Sequence, residues 1–175
     1  MSDTVPIQDK QSVTPEGQSV KPLIQGLIVR PARTIEDKRG EVVEIYRPAW
    51  NVHPDPLVYV NQVSIRPGAI KGWTVHHQQD DRIYLCLGVT RWAFYDARDD
   101  SPTYKMVNEF VFSDRTRALL IIPHGVFHAV KNIGQTEAIF IDMPTQPYDH
   151  ENPDKYRLPP HNAVIPFDFD DGPGW

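Results

Sequence analysis

Apolar positions along this chain come in short bursts. β-Branched and aromatic residues gather at Glu41 to Tyr46, Leu57 to Ile65, Arg82 to Leu87 and Arg91 to Tyr95. They gather again at Asn108 to Phe112, Ala118 to Ile122, Phe127 to Lys131 and Ala138 to Ile141. Clusters of Gly, Pro, Asn or Asp punctuate these runs, which read as strands joined by tight turns. No long stretch keeps the 3.6-residue period of an amphipathic helix. The pattern predicts an all-β fold, closed into a barrel or jelly roll so that no long sheet edge is left open. The two ends differ from the middle. Residues 1–22 are polar and aperiodic, and are expected to form a flexible arm. Residues 23–175 form a single domain on this reading. Its irregular, Pro-rich tail begins near Tyr148. Tyr156, Phe167, Phe169 and Trp175 predict that this tail packs against the barrel.

Composition narrows the partners. A length of 175 residues fits one domain, and 40% hydrophobic residues suffice for a core. The net charge is -5 and no basic run is present, which argues against a general nucleic-acid binder. No apolar stretch is long enough to span a membrane, and no signal-peptide pattern opens the chain. The single cysteine, Cys86, excludes an internal disulfide framework and fits a reducing compartment. It lies in the apolar run Ile83 to Leu87 and reads as a small core residue. Together these features predict a cytoplasmic protein. His77, His124, His150 and His161 read as surface residues, and the acidic cluster Asp168 to Asp171 as a solvated tail.

Two motifs carry the chemistry. Residues 123–132, from Pro123 through Gly125 and His128 to Asn132, match the cupin pattern P-x-G-x-x-H-x-x-x-N at every defined position. Residues 68–88 match its companion G-x5-H-x-H-x4-E-x6-G, with Thr74 in place of the first His and Asp81 in place of Glu. Alternation along extended strands puts Thr74 and His76 on one face and His77 on the other. In a barrel, inward side chains from different strands meet, so Thr74, His76 and His128 are expected to share a cavity. The fold predicted is a cupin, or jelly-roll, β-barrel.

Further stretches resemble one family. Asp37-Lys38-Arg39-Gly40 leading to Glu44, then Asn61-Gln62-Val63-Ser64, then Asp96 to Tyr104 resemble the D-x-R-G-x-x-x-E, D-N-x-S and D-x-R-x-x-S-P-T-F/Y segments of the dTDP-4-dehydrorhamnose 3,5-epimerases. The resemblance runs from about Asp37 to Tyr148 in consistent order. It implies a homodimer that binds a dTDP-linked 4-keto-6-deoxy sugar without a metal or other cofactor. It also implies that Arg39 and Lys71 contact the phosphates and Glu44 the nucleoside. Asn61 and Gln62 would frame the pocket, Arg82 would lie near the sugar ketone, and His128 and Glu151 would touch substrate.

The catalytic pair of that family has no counterpart here. Thr74 stands where the family's R-G-L-H motif has its basic histidine. Ile141, thirteen residues after His128, stands where it has its acidic tyrosine. Epimerisation α to a ketone needs a base, an acid and an oxyanion stabiliser. Altered or lost epimerase chemistry is therefore expected, with His76 as a displaced base and Thr74 as a substrate contact. Two other functions stay open on the sequence. One is a metal-dependent isomerase or dioxygenase using His76, Asp81 and His128. The other is a non-catalytic barrel that binds a ligand or assembles with partners.

Overall fold

The short runs pair as antiparallel strands throughout. The structure is a computed structural model that describes residues 8–17 and 19–170. In chain order the strands are β1 (Ile28–Pro31), β2 (Thr34–Asp37), β3 (Gly40–Val43), β4 (Asn61–Ile65), β5 (Ile70–Val75) and β6 (Asp81–Leu87). They continue as β7 (Thr90–Asp96), β8 (Val107–Phe112), β9 (Ala118–Ile122), β10 (Val126–Asn132), β11 (Ala138–Asp142) and β12 (Tyr156–Arg157). One five-stranded sheet runs β1-β9-β6-β11-β4 and a second runs β12-β5-β10-β7-β8. The expected jelly roll is what forms. Its strands differ in detail: the 41–46 run is strand only to Val43, and the 57–65 run only from Asn61.

Three apolar layers hold the sheets. The main core lies between them, where Ile65, Ile83, Leu85, Leu120 and Phe140 meet Trp92, Phe94 and Val130. Outside the first sheet, Tyr84, Leu119, Ile121 and Met143 are covered by Val43, Ile45, Tyr46, Trp50 and Val52. Cys86 packs in this layer, as its apolar surroundings predict. Outside the second sheet, Trp73, Ala93 and Ala129 are covered by Ile165 and Phe169 of the tail. The tail therefore packs, as its aromatics predict; Trp175 and Asp171 lie outside the described residues. Residues 8–17 and 19–22 are almost all exposed, and the rest of the expected arm, with residues 1–7, is not described.

The motif residues explain the turns. Gly125 has φ +76° in the Pro123-x-Gly125 turn, a conformation L side chains rarely adopt. Asn132 is fully buried and donates to the Ile65 and Thr136 carbonyls, each at 2.8 Å, pinning the end of β10. β5 carries a bulge opposite β10: His128 faces Thr74, but Val130 faces Lys71. Gly72 sits in it at φ +118°, and a Cβ there would come within 2.6 Å of Ala129. The bulge brings Lys71 onto the same face as Thr74.

Candidate active site

Between the sheets lies a cavity of about 430 Å³. Part of its lining is apolar and shared with the main core, through Val63, Ile83, Trp92, Val130 and Phe140. The rest is polar: Asn61 from β4, Thr74 and His76 from β5 and the turn after it, Asp81 from β6, His128 from β10 and Asp142 from β11. Lys71, Lys155 and Arg157 add three cationic side chains, none in an ion pair among the described residues.

Asp81 is the hub. Its carboxylate lies 3.3 Å from His76 Nε2 and 3.5 Å from His128 Nε2, and accepts from Gln79 Nε2 at 2.9 Å. Burial pushes Asp81 up, but the His76 hydrogen bond and the two imidazoles outweigh it, and the carboxyl stays below the usual range. His76 Nδ1 meets the Asp154 carbonyl. Both His76 nitrogens thus face acceptors. Burial opposes its charge, but Asp81 prevails and its pKa is raised. His128 goes the other way. Burial takes it down to about 4; Asp81 pulls against this, and the neighbouring His76 adds to it. The cluster thus favours the charged form of His76, keeps Asp81 a carboxylate and leaves His128 neutral near neutral pH. The three donor atoms lie within 4.8 Å of one another, a spread that suits a shared proton or a small divalent cation.

The tail completes the site. β12 pairs with β5, Tyr156 against Val75 and Arg157 against Thr74. The Asp154 carboxylate accepts the backbone N–H groups of His77, Gln78 and Gln79 at 2.8–3.1 Å. Partial burial of the Lys155 ammonium lowers its pKa and Arg157 does likewise, while Asp81 and Asp142 raise it.

The expected site residues divide in two. His76, Thr74, His128, Lys71 and Asn61 line the cavity together. Five others do not, for identifiable reasons. Gln62 alternates to the outer face of β4 opposite Ile141. Arg82 alternates away from Asp81 and Ile83, and is fully buried. It donates to the carbonyls of Met143, Asp55 and Pro56 at 2.9–3.0 Å. Arg39 is exposed at the β2–β3 turn and bound to Asp37 at 2.6 Å. Glu44 is paired with Arg47 on the surface, and Glu151 is exposed beside Asp149. Asp142, Lys155, Arg157 and Asp154 also line the cavity and were not among the site residues expected from the sequence. Alternation from Phe140 would have pointed Asp142 inward; the other three depend on a tail fold that no local pattern specifies.

The remaining histidines are mostly peripheral. His77 and His150 are exposed, and His124 reaches out to Asp80 at 2.8 Å. His161 is exposed beside Asp168 and Asp170.

Two antiparallel sheets wrapped around an ionisable cavity define a cupin-type jelly roll. Sequence comparison is more specific. Residues 21–167 match the dTDP-4-dehydrorhamnose 3,5-epimerase family, and the chain belongs to that family. It is 31% identical over 140 residues to the probable low-salt glycan biosynthesis epimerase Agl13 of Haloferax volcanii, covering 79% of this chain and 89% of that one. It is 30% identical over 150 residues to the spore coat polysaccharide biosynthesis protein SpsL of Bacillus subtilis, covering 84% and 97%. Its fold is similar to that of ChmJ, a 3'-monoepimerase from Streptomyces bikiniensis solved with dTDP-quinovose. The TM-score is 0.76 at 18% identity, over 86% of this chain and 79% of that one.

Proposed function

We propose that this protein binds a nucleotide-linked 4-keto-6-deoxyhexose and works on it by proton chemistry altered from the family's base–acid pair. The observation that carries this reading is the cavity itself. A buried acid–base cluster lies in the same chamber as three cationic side chains that form no ion pair among the described residues. The sugar sits beside His76, His128 and Asn61, and the diphosphate lies at Lys71, Lys155 and Arg157. Charge-assisted bonds to phosphate make such cations strong anchors. Thr74 lines the wall next to His128 and contacts the sugar, because a neutral hydroxyl cannot be the base. Ile141 faces the outer layer, so nothing at that position serves as acid.

His76 takes the acid's part in this reading. Its raised pKa and its two acceptors favour the imidazolium. The 3.3 Å contact to Asp81 is long enough for Nε2–H to turn to a sugar oxygen, since such bonds tighten only on substrate binding. The relatives act in glycan and polysaccharide biosynthesis, and a cytoplasmic place in such a route fits; no helix among the described residues is long and apolar enough to cross a membrane.

We further infer a homodimer. Arg39 and Glu44 lie outside their own chain's cavity, so they reach a nucleotide only across an interface. The test of the reading is calorimetry with dTDP and a dTDP-keto sugar. Lys71→Ala and Arg157→Ala should each weaken dTDP by about tenfold or more. Unchanged affinity in both would overturn it.

One observation favours a second reading. His76, Asp81 and His128 are a two-imidazole, one-carboxylate donor set suited to Fe(II), Mn or Zn, and a bound ion would act as a Lewis acid on the ketone. The acid–base reading expects no stoichiometric metal, because His76 already pairs with Asp81. Elemental analysis finding one metal per chain, lost in His128→Ala, would establish the second reading in its place.

A further inference from the structure

Asp142 closes β11 on the cavity side, while Ile141 turns to the outer layer. One of its oxygens has a donor. Asn61, its cross-strand partner in the β4–β11 ladder, gives Nδ2–H to Oδ2 at 3.3 Å. The other oxygen, Oδ1, is buried and has no hydrogen-bond partner among the described residues. A buried polar atom is rarely left so, because it forfeits its bonds to water. A carboxyl that lines a substrate chamber with one bare oxygen is placed to exchange a proton with whatever enters.

The charged groups around it agree. Asp81 faces it from β6, His76 from the turn after β5 and Lys155 from the tail; His128 on β10 is neutral. The Asp154 carboxylate is turned onto backbone amides and does not take part. Burial drives the Asp142 carboxyl up to about 7 and the Asp81 charge adds to this, against Asn61, Lys155 and His76. At neutral pH both its forms are populated, which is where a general acid–base works best.

We propose that Asp142 is the group that takes and returns the carbon-bound proton of the keto sugar. This deepens the function proposed above and rests on it. Ionised Asp142 removes the proton α to the ketone. The C–H electron pair becomes the enolate double bond, and the carbonyl pair moves onto oxygen, which is held by His76 Nε2–H and the Lys155 charge. The Asp142 O–H then returns a proton to carbon as the enolate collapses, which restores the carboxylate with no net proton consumed. One group on one face replaces the family's opposed pair, so the proton returns to the face it left and the step exchanges that hydrogen with solvent while the carbon keeps its configuration.

The experiment follows dTDP-4-keto-6-deoxyglucose by NMR in deuterated buffer, with dTDP binding measured in parallel by calorimetry. Wild type should exchange one α-proton, at a rate that rises with pH through neutrality. Asp142→Asn is nearly isosteric; it should bind dTDP within about twofold of wild type yet exchange at least about a hundredfold more slowly. Asn61→Ala removes the bond that favours the carboxylate, so its pH profile should move to higher pH. Exchange that survives in Asp142→Asn would overturn the proposal, as would a profile that Asn61→Ala leaves in place. Wild type that binds dTDP without exchanging overturns the role of Asp142 alone. Wild type that binds neither dTDP nor the sugar overturns the function beneath it as well.

Discussion

Asp96 shows what the most family-specific turn is for. Its carboxylate accepts from Arg98 Nε at 2.8 Å and Nη2 at 2.9 Å, and from the hydroxyls of Ser101 and Thr103, each at 2.6 Å. Burial works against the charge, but Arg98, Ser101 and Thr103 hold the carboxyl far below the usual range. The D-x-R-x-x-S-P-T segment is thus a knot that ties the β7–β8 connection, away from the cavity. Its folded pKa is depressed, so its stabilisation is complete above the unfolded carboxylate value and disappears as pH falls through the folded one. Asp96→Asn should cost about 2–3 kcal/mol at pH 7, and urea unfolding should show this deficit shrinking below about pH 4. At this scale, strand parity decided which residues were legible. Thr74, His76 and His128 share a face as alternation requires. Neighbours such as Asp81 and Arg82, or Asn61 and Gln62, cannot both point inward, and matching motif letters without parity misplaced one of each pair. Parity also explains the acid position: Ile141 points to the outer layer and its neighbour Asp142 to the cavity.

At the scale of elements, the tail segment 154–158 fastens the barrel's open side. Trp73 and Leu158 exchange backbone hydrogen bonds at 3.1 Å each, and the Asp154 carboxylate caps the turn after β5. The Asp154 carbonyl meets His76 Nδ1 as well. Asp154→Ala leaves three backbone amides without their acceptor and frees the turn. It should cost about 1–3 kcal/mol of stability and weaken dTDP binding by about tenfold, measured by thermal unfolding and calorimetry. A loss of stability with unchanged affinity would separate the clasp from the site. Most strands of the barrel were legible because each carries its own β-branched pattern and turn signals; β5 was read as extended only through the motif that holds Thr74 and His76. β1, β2 and β12 were not, because they are short and their pairing is set by partners far along the chain.

Among the described residues, one hairpin keeps an apolar face uncovered although its Val43 packs on the first sheet. The β2–β3 hairpin stands as a separate two-stranded sheet. Its cross-strand pair Ile35 and Val42 is 62% and 68% exposed. An isolated hairpin is marginal in water. Burying both side chains against a second protomer would contribute about 1.5–3 kcal/mol each. Light scattering should therefore report a dimer at micromolar concentration, and Val42→Asp should shift it toward monomer. A monomeric wild type would remove the reason for placing Arg39 and Glu44 at a neighbour's nucleotide.

Lys155 and Arg157 come from a stretch that follows the last barrel strand, whereas the aliphatic core is complete by β11. Two of the three cations proposed to hold the ligand are therefore encoded apart from the main core, while Lys71 sits within a barrel strand. A descendant can rewrite the few residues around β12, and so change which ligand it accepts, without disturbing a single contact of the main core. The same separation lets that stretch be grafted from one relative to another as an interchangeable part.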